Sequence, residues 1–149
     1  MTDRRAFLAG MAAIIVTPLP AFATPDDVAA SILATFGDRP VTDGPITIQA
    51  PPLAETGNSV PITIRVDRPM AAADRILRLA LFSERNPRPK VFEAAFGPAV
   101  AEAAVTTNIR LNGTQTILCV AEAADGTLIR AAQEIRVVVG ACTTLEIQF

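Results

Sequence analysis

Two cysteines carry most of the chemical potential of this 149-residue chain. Cys119 lies in the run Thr116-Ile117-Leu118-Cys119-Val120, inside an expected strand. A free thiol in that setting packs like a small hydrophobe and stays inert. Cys142 is placed differently. It follows Gly140 and Ala141, directly after the valine run Val137-Val138-Val139, and the chain closes at Phe149. Chain ends are loosely held unless they dock, so this thiol is expected to be exposed and within reach of other proteins. Exposed free thiols are generally avoided on protein surfaces, so one near a terminus calls for a function. The competing reading is a Cys119–Cys142 disulfide. Cysteines in an oxidising compartment often pair, and closing a loop of this size contributes about 3 kcal/mol. It requires Cα atoms within about 7 Å. The residues alone leave both readings open.

The composition narrows what else is feasible. The chain has no histidine, tryptophan or tyrosine. Without histidine there is no Ser-His-Asp or Cys-His nucleophile system and no HExxH metal site. The side chain whose ordinary pKa lies near neutrality is missing too. Acid–base chemistry would have to come from shifted carboxylates, a thiol or another protein. Thirteen basic and fifteen acidic side chains give a net charge of −2, against the basic patch that nucleic acid requires. No paired-carboxylate motif or phosphate-cradling glycine loop is present. Asp26, Asp27 and Asp38 read as helix-end and loop carboxylates rather than a metal cluster. Arg85 and Arg88, around Asn86-Pro87-Arg88-Pro89, suit a solvated rim or an anion or partner contact. Phe92 and Phe96 read as core or subunit-interface residues. No catalytic residue, metal ligand or cofactor is expected.

The elements that must position the thiols follow from periodicity. Asp26 to Phe36 is a short helix: Thr24 or Asp26 caps it, Pro25 suits its first turn, Val28, Ile32, Leu33 and Phe36 share its spacing, and Gly37 ends it. The period then changes to two. Ile46 and Ile48 form one strand, stopped by Pro51-Pro52. Val60, Ile62, Ile64 and Val66 form the clearest half-buried strand. Further strands are expected over Ile76–Phe82, Val91–Phe96, Val105–Leu111, Thr114–Glu122 and Thr127–Val139. Asn112-Gly113 and Asp125-Gly126 mark hairpins, and the prolines of Asn86-Pro87-Arg88-Pro89 exclude ladder pairing there. Seven or so short strands after one helix predict an all-β, immunoglobulin-like antiparallel β-sandwich with a short N-terminal helix.

The first 23 residues read as an export signal. Arg4-Arg5 precede Phe7-Leu8 and a short apolar run, Pro18 and Pro20 break it, and Ala21-Phe22-Ala23 fits a cleavage site. Twin arginines point to the Tat route. The run is too short to span a bilayer comfortably, which takes about 20 residues. Cleavage after Ala23 removes Asp3, Arg4 and Arg5 and leaves 11 basic and 14 acidic side chains. The expected organisation is a signal at 1–23, a sandwich domain at 24–139 and a cysteine-bearing arm at 140–149. The mature form is expected to be periplasmic, with no membrane attachment.

Together these residues resemble the SoxY family of sulfur carriers from the thiosulfate-oxidising Sox system. The likeness runs through the Tat signal, the helix, Glu55-Thr56-Gly57-Asn58-Ser59-Val60-Pro61-Ile62, Asn86-Pro87-Arg88-Pro89, Leu111-Asn112-Gly113-Thr114-Gln115-Thr116 and Ala121-Glu122-Ala123-Ala124-Asp125-Gly126. It implies a sandwich paired with a SoxZ-like subunit and a C-terminal arm whose cysteine holds sulfur intermediates covalently while visiting Sox-type or related sulfur-oxidising enzymes. By position that cysteine is Cys142, with Gly140 and Ala141 as its arm. A carrier thiol needs nucleophilicity and exposure but no local base if each enzyme supplies one, which suits a chain without histidine. The chain departs from the family's paired glycines on both sides of the cysteine. Only Gly140 matches, Thr143 and Thr144 are stiff, and Leu145, Ile147 and Phe149 alternate as in a strand. The pattern marks a divergent carrier. The alternative is a non-catalytic sandwich subunit whose tail pairs with a partner or is tied down by the disulfide.

Overall fold

A computed structural model describes residues 22–141. Helix α1 spans Pro25–Phe36 and begins in a capping box, because Thr24 and Asp27 satisfy each other's backbone amides. The Asp27 carboxylate accepts from Thr24 N at 2.8 Å and from Thr24 Oγ1 at 2.7 Å. These bonds hold the Asp27 carboxyl below the usual range. Gly37 ends the helix at a φ of 81°, a left-handed conformation that glycine adopts without strain. Val28 and Phe36 are buried as the spacing predicts, but Leu33 is 52% exposed, on the solvent side of the helix.

Nine strands follow: β1 Val41–Asp43, β2 Ile46–Gln49, β3 Leu53–Thr56, β4 Val60–Val66, β5 Ile76–Ser83, β6 Lys90–Ala95, β7 Ala103–Ile109, β8 Gln115–Ala123 and β9 Leu128–Val139. They build a β-sandwich. One sheet has the order β1-β9-β8-β5-β6 with β3 also on β9, and the other has the order β2-β4-β7. The long strand β9 organises the first sheet. It pairs antiparallel with β8 along one side, while β1 runs parallel to its start and β3 parallel to its end. The expected all-antiparallel pairing therefore fails at these two places. Gly44-Pro45 carries the chain from β1 across to β2 in the other sheet, and Pro51-Pro52 bring it back to β3, so both short strands meet β9 in its own direction.

Asp125-Gly126 makes the expected hairpin between β8 and β9. Asn112-Gly113 does not make one. Strand β7 pairs with β4 while β8 pairs with β5 and β9, so the dipeptide joins the two sheets. Gly113 has a φ of 88° there.

Alternation along each strand makes two cores. Inward, Val60, Ile62, Ile64 and Val66 of β4 meet Leu79 and Leu81 of β5 and Ile117, Cys119 and Ala121 of β8. Phe92 and Phe96 pack partly buried against this core. Outward, Ala80, Phe82, Val120 and Leu128 lie under Val28 and Phe36 of α1. A polar strap completes that outer layer. Glu122 takes Arg39 Nη2 at 2.6 Å on one oxygen and Arg78 Nε on the other. Arg78 also donates to Glu93 and to the Thr35 carbonyl, and its guanidinium lies 4.8 Å above the Phe36 ring. One arginine thus ties β5, β6, β8 and the end of α1 together.

Replacing Glu122 with Gln should cost about 1.5–3 kcal/mol, since charge-assisted hydrogen bonds are lost. Desolvation raises the Glu122 carboxyl, but the bonds from Arg78 and Arg39 outweigh it and hold the group below its usual range. The folded pKa lies below the unfolded one. The stabilisation is therefore complete above the unfolded value of about 4.3 and disappears as pH falls through the folded value. Denaturant unfolding across that range should show the wild type losing stability on acidification more steeply than Glu122→Gln.

Candidate functional site

The structure separates the two thiols. Cys119 is fully buried in the inner core, a free thiol between Leu81 of β5 and Ala131 of β9. Burial pushes its pKa up to about 12. At neutral pH it carries no useful thiolate, and nothing outside the fold can reach it. Cys142 lies outside the described residues, as do Arg4, Arg5 and the segment 143–149. The approach to Cys142 is nonetheless well defined, because Gly140 and Ala141 are described.

The disulfide alternative is corrected by this geometry. Cys119 is opposite Ala131, and β9 continues to Val139 before the chain reaches Ala141. Eight further residues of strand advance about 26 Å, against the 7 Å or so that a disulfide permits between Cα atoms. Ala141 is held at the far end, and Cys119 stays unpaired.

What holds Ala141 is a short backbone relay. Gly57 N–H donates to the Val139 carbonyl at 2.7 Å, Leu111 N–H to the Gly57 carbonyl at 2.8 Å, and Ala141 N–H to the Leu111 carbonyl at 3.0 Å. The relay draws together the loop after β3, the crossover before β8 and the end of β9. It closes only because Gly57 lacks a side chain. A Cβ on Gly57 would overlap the Leu111 carbonyl oxygen and crowd the Ala141 amide at 3.0 Å. Gly140 is packed almost as closely, with a Cβ there falling 3.0 Å from Gly113 N.

Beside the relay stands a polar cluster centred on the half-buried Asn86. Its Oδ1 accepts from Asn112 N at 3.0 Å and from Gln115 Nε2 at 3.2 Å, and its Nδ2 donates to the Arg110 carbonyl at 2.8 Å. Gln115 Oε1 accepts from Arg85 N at 2.9 Å. Thr114 Oγ1 accepts from Val137 N at 2.9 Å and fastens the last part of β9. Asn112 and Gln115 are buried yet well supplied with partners, as buried amides must be. Ala23 joins in, its N–H donating to the Asn86 carbonyl at 3.0 Å.

Three of the distinctive sequence stretches thus meet at the end of β9: Gly57-Asn58, Arg85-Asn86 and Leu111–Gln115. Sequence reasoning singled them out without seeing that they form one site. Their signal was the density of Gly, Asn and Pro, but contacts 24–30 residues apart are invisible to local pattern. An open cleft of about 850 Å³ adjoins this meeting point, between the unpaired edges of β6 and β7, with Asn86, Arg88, Phe92, Val105 and Arg110 on its walls. Among the described residues no three His, Cys, Asp or Glu side chains gather to hold a metal ion. Nor is any helix among them long and apolar enough to cross a membrane.

Fold and site together define a helix-backed β-sandwich whose final strand is tied off at its end, one residue before Cys142 in the sequence. The chain belongs to the SoxY family: the model for sulfur oxidation protein SoxY matches residues 32–142. Among solved structures, the sulfur carrier protein SoxY from Chlorobium limicola f thiosulfatophilum is 28% identical with a TM-score of 0.66, over 76% of this chain and 98% of that one. A superoxide reductase (neelaredoxin) from Ignicoccus hospitalis matches at 22% identity and a TM-score of 0.56, over 78% of this chain and 95% of that one. A putative superoxide reductase from Thermotoga maritima matches at 22% identity and 0.57, over 70% and 96%. The reductases share the fold alone. No curated protein matches the sequence.

Gly57→Ala should destabilise the domain by about 1–3 kcal/mol through overpacking, read as a lower urea midpoint. The loosened relay should also make the chain beyond Val139 more sensitive to protease under native conditions.

Proposed function

We propose that this sulfur oxidation protein is a covalent carrier that holds sulfur intermediates on Cys142. The observation that carries the reading is the fate of the other thiol. The sequence has two cysteines, and Cys119 is sealed in the core with its pKa pushed up to about 12. Carrier chemistry on this chain therefore falls to Cys142, one residue beyond an anchored Ala141. The named likeness to a sulfur carrier supports the same role.

In this reading an S–S bond forms between the Cys142 sulfur and the outer sulfur of a compound such as thiosulfate, the two electrons released pass to the oxidising enzyme visited, and that enzyme also provides the acid–base groups that a chain without histidine lacks. The thiol needs no cofactor. The relay at Gly57, Leu111 and Ala141 holds the domain together up to the residue before Cys142, so the enzyme does not meet a fraying strand.

The remaining features fit a periplasmic protein exported on the Arg4-Arg5 signal and working beside a SoxZ-like subunit. Leu53, Val138 and Val139 are 57%, 67% and 46% exposed at the arm end of β3 and β9. Their apolar surface supports a subunit contact there. The enzymes visited are then Sox-type or related sulfur-oxidising enzymes.

Intact mass spectrometry after exposure to thiosulfate and the cognate oxidising enzymes tests the proposal. Wild type and Cys119→Val should gain the same adduct, and Cys142→Ser should gain none. An adduct that survives Cys142→Ser would sink the carrier role.

A further inference from the structure

The two sheets are closed unequally at their margins. On one side the chain itself crosses between them at Gly44-Pro45 and Pro51-Pro52, and β1 and β3 cover the flank of β9. On the other side β6 ends one sheet and β7 ends the other, and among the described residues each pairs with a single neighbour. Both unpaired edges border the open cleft of about 850 Å³. An unpaired strand edge is a row of free N–H and C=O groups, a template on which another strand pairs.

The floor of this cleft is the margin of the inner core. Val91, Phe92, Ala94 and Val105 line it, and all four pack against that core while staying only partly buried. Covering such surface with apolar groups is favourable by about 25 cal/mol per Å². Strand β6 has six residues, about 20 Å of edge, which suits an extended segment of similar length.

Charge marks one end of the cleft. The Glu93 carboxylate on its wall is already shared by Arg78 and Lys90, each at 3.1 Å. Arg88 and Arg110 are exposed, and no carboxylate among the described residues pairs with either. Both flank Asn86. Arg88 follows it by two residues, and the Arg110 carbonyl accepts from its Nδ2 at 2.8 Å. A chain of net charge −2 thus presents an unmatched positive end to an apolar cleft.

We propose that the β6–β7 cleft is a docking groove for an extended acidic segment of a partner protein. The segment adds as a strand to one of the open edges, with alternate apolar side chains on the floor at Phe92 and Val105 and carboxylates at the Arg88 and Arg110 end. This surface is separate from the apolar one at Leu53, Val138 and Val139, because β6 lies three strands from β9 across the sheet, about 14 Å. It does not depend on the carrier role of Cys142.

Two synthetic peptides added to the full chain test the groove: Glu-Val-Thr-Val-Thr-Val-Glu, and the same peptide with lysine at both ends. The acidic peptide should slow hydrogen exchange at alternate amides of β6 or β7, since ladder bonds fall on every second residue of an edge. The lysine peptide should bind at least tenfold more weakly. Combining Arg88→Glu with Arg110→Glu should weaken the acidic peptide about a hundredfold, tenfold for each charge-assisted hydrogen bond lost, and should favour the lysine peptide. Both side chains are exposed, so the variant should keep the wild-type urea midpoint. Unchanged exchange in β6 and β7 at millimolar acidic peptide would overturn the groove. Equal binding of the two peptides would overturn the acidic partner. Protection of the same amides that grows with protein concentration, without peptide, would overturn the proposal by giving the edge to a second copy of the chain.

Discussion

Much of this molecule turns on three backbone hydrogen bonds, from Gly57 to Val139, Leu111 to Gly57 and Ala141 to Leu111. A strand that ended without them would leave unpaired amides and fray. With them the end of β9 is as well satisfied as its middle, and the domain stays fixed up to Ala141. The relay demands a glycine at position 57, a crossover at Leu111 that exposes its carbonyl inward, and a buried amide cluster that holds that crossover still. Asn86, Asn112 and Gln115 meet the last demand, each bonded to backbone as well as to one another.

This organisation divides the two thiols by environment. Cys119 has the packing of a core residue and is kept from ionising by desolvation. Cys142 follows Ala141, the last described residue. On the proposed carrier role, chemistry at Cys142 makes no demand on the core, which is packed around a thiol that stays neutral. The lack of histidine follows the same logic if other proteins provide the proton transfers.

Much of the architecture was legible in the sequence where a residue's environment is set by its near neighbours. The alternation Val60-Ile62-Ile64-Val66 and the capping of α1 are of that kind, as is the Asp125-Gly126 hairpin. What was not legible depends on partners far along the chain. Strands β1 and β3 are three and four residues long, too short for a periodic signal, and exist because β9 offers them an edge. Asn112-Gly113 has hairpin chemistry, but whether its flanking strands pair is decided by the sheet each joins. Position alone distinguished Cys142 from Cys119. Nothing local revealed that Gly57, Asn86 and Gln115 would converge at the end of β9.

The unusual flanking of β9 has a mechanical consequence. A tug on the chain beyond Val139 acts along the axis of this strand. Its ladders to β8, β1 and β3 all lie parallel to that axis. The load is then shared as shear across many bonds at once instead of unzipping them one after another. The domain is built to withstand traction applied beyond Val139.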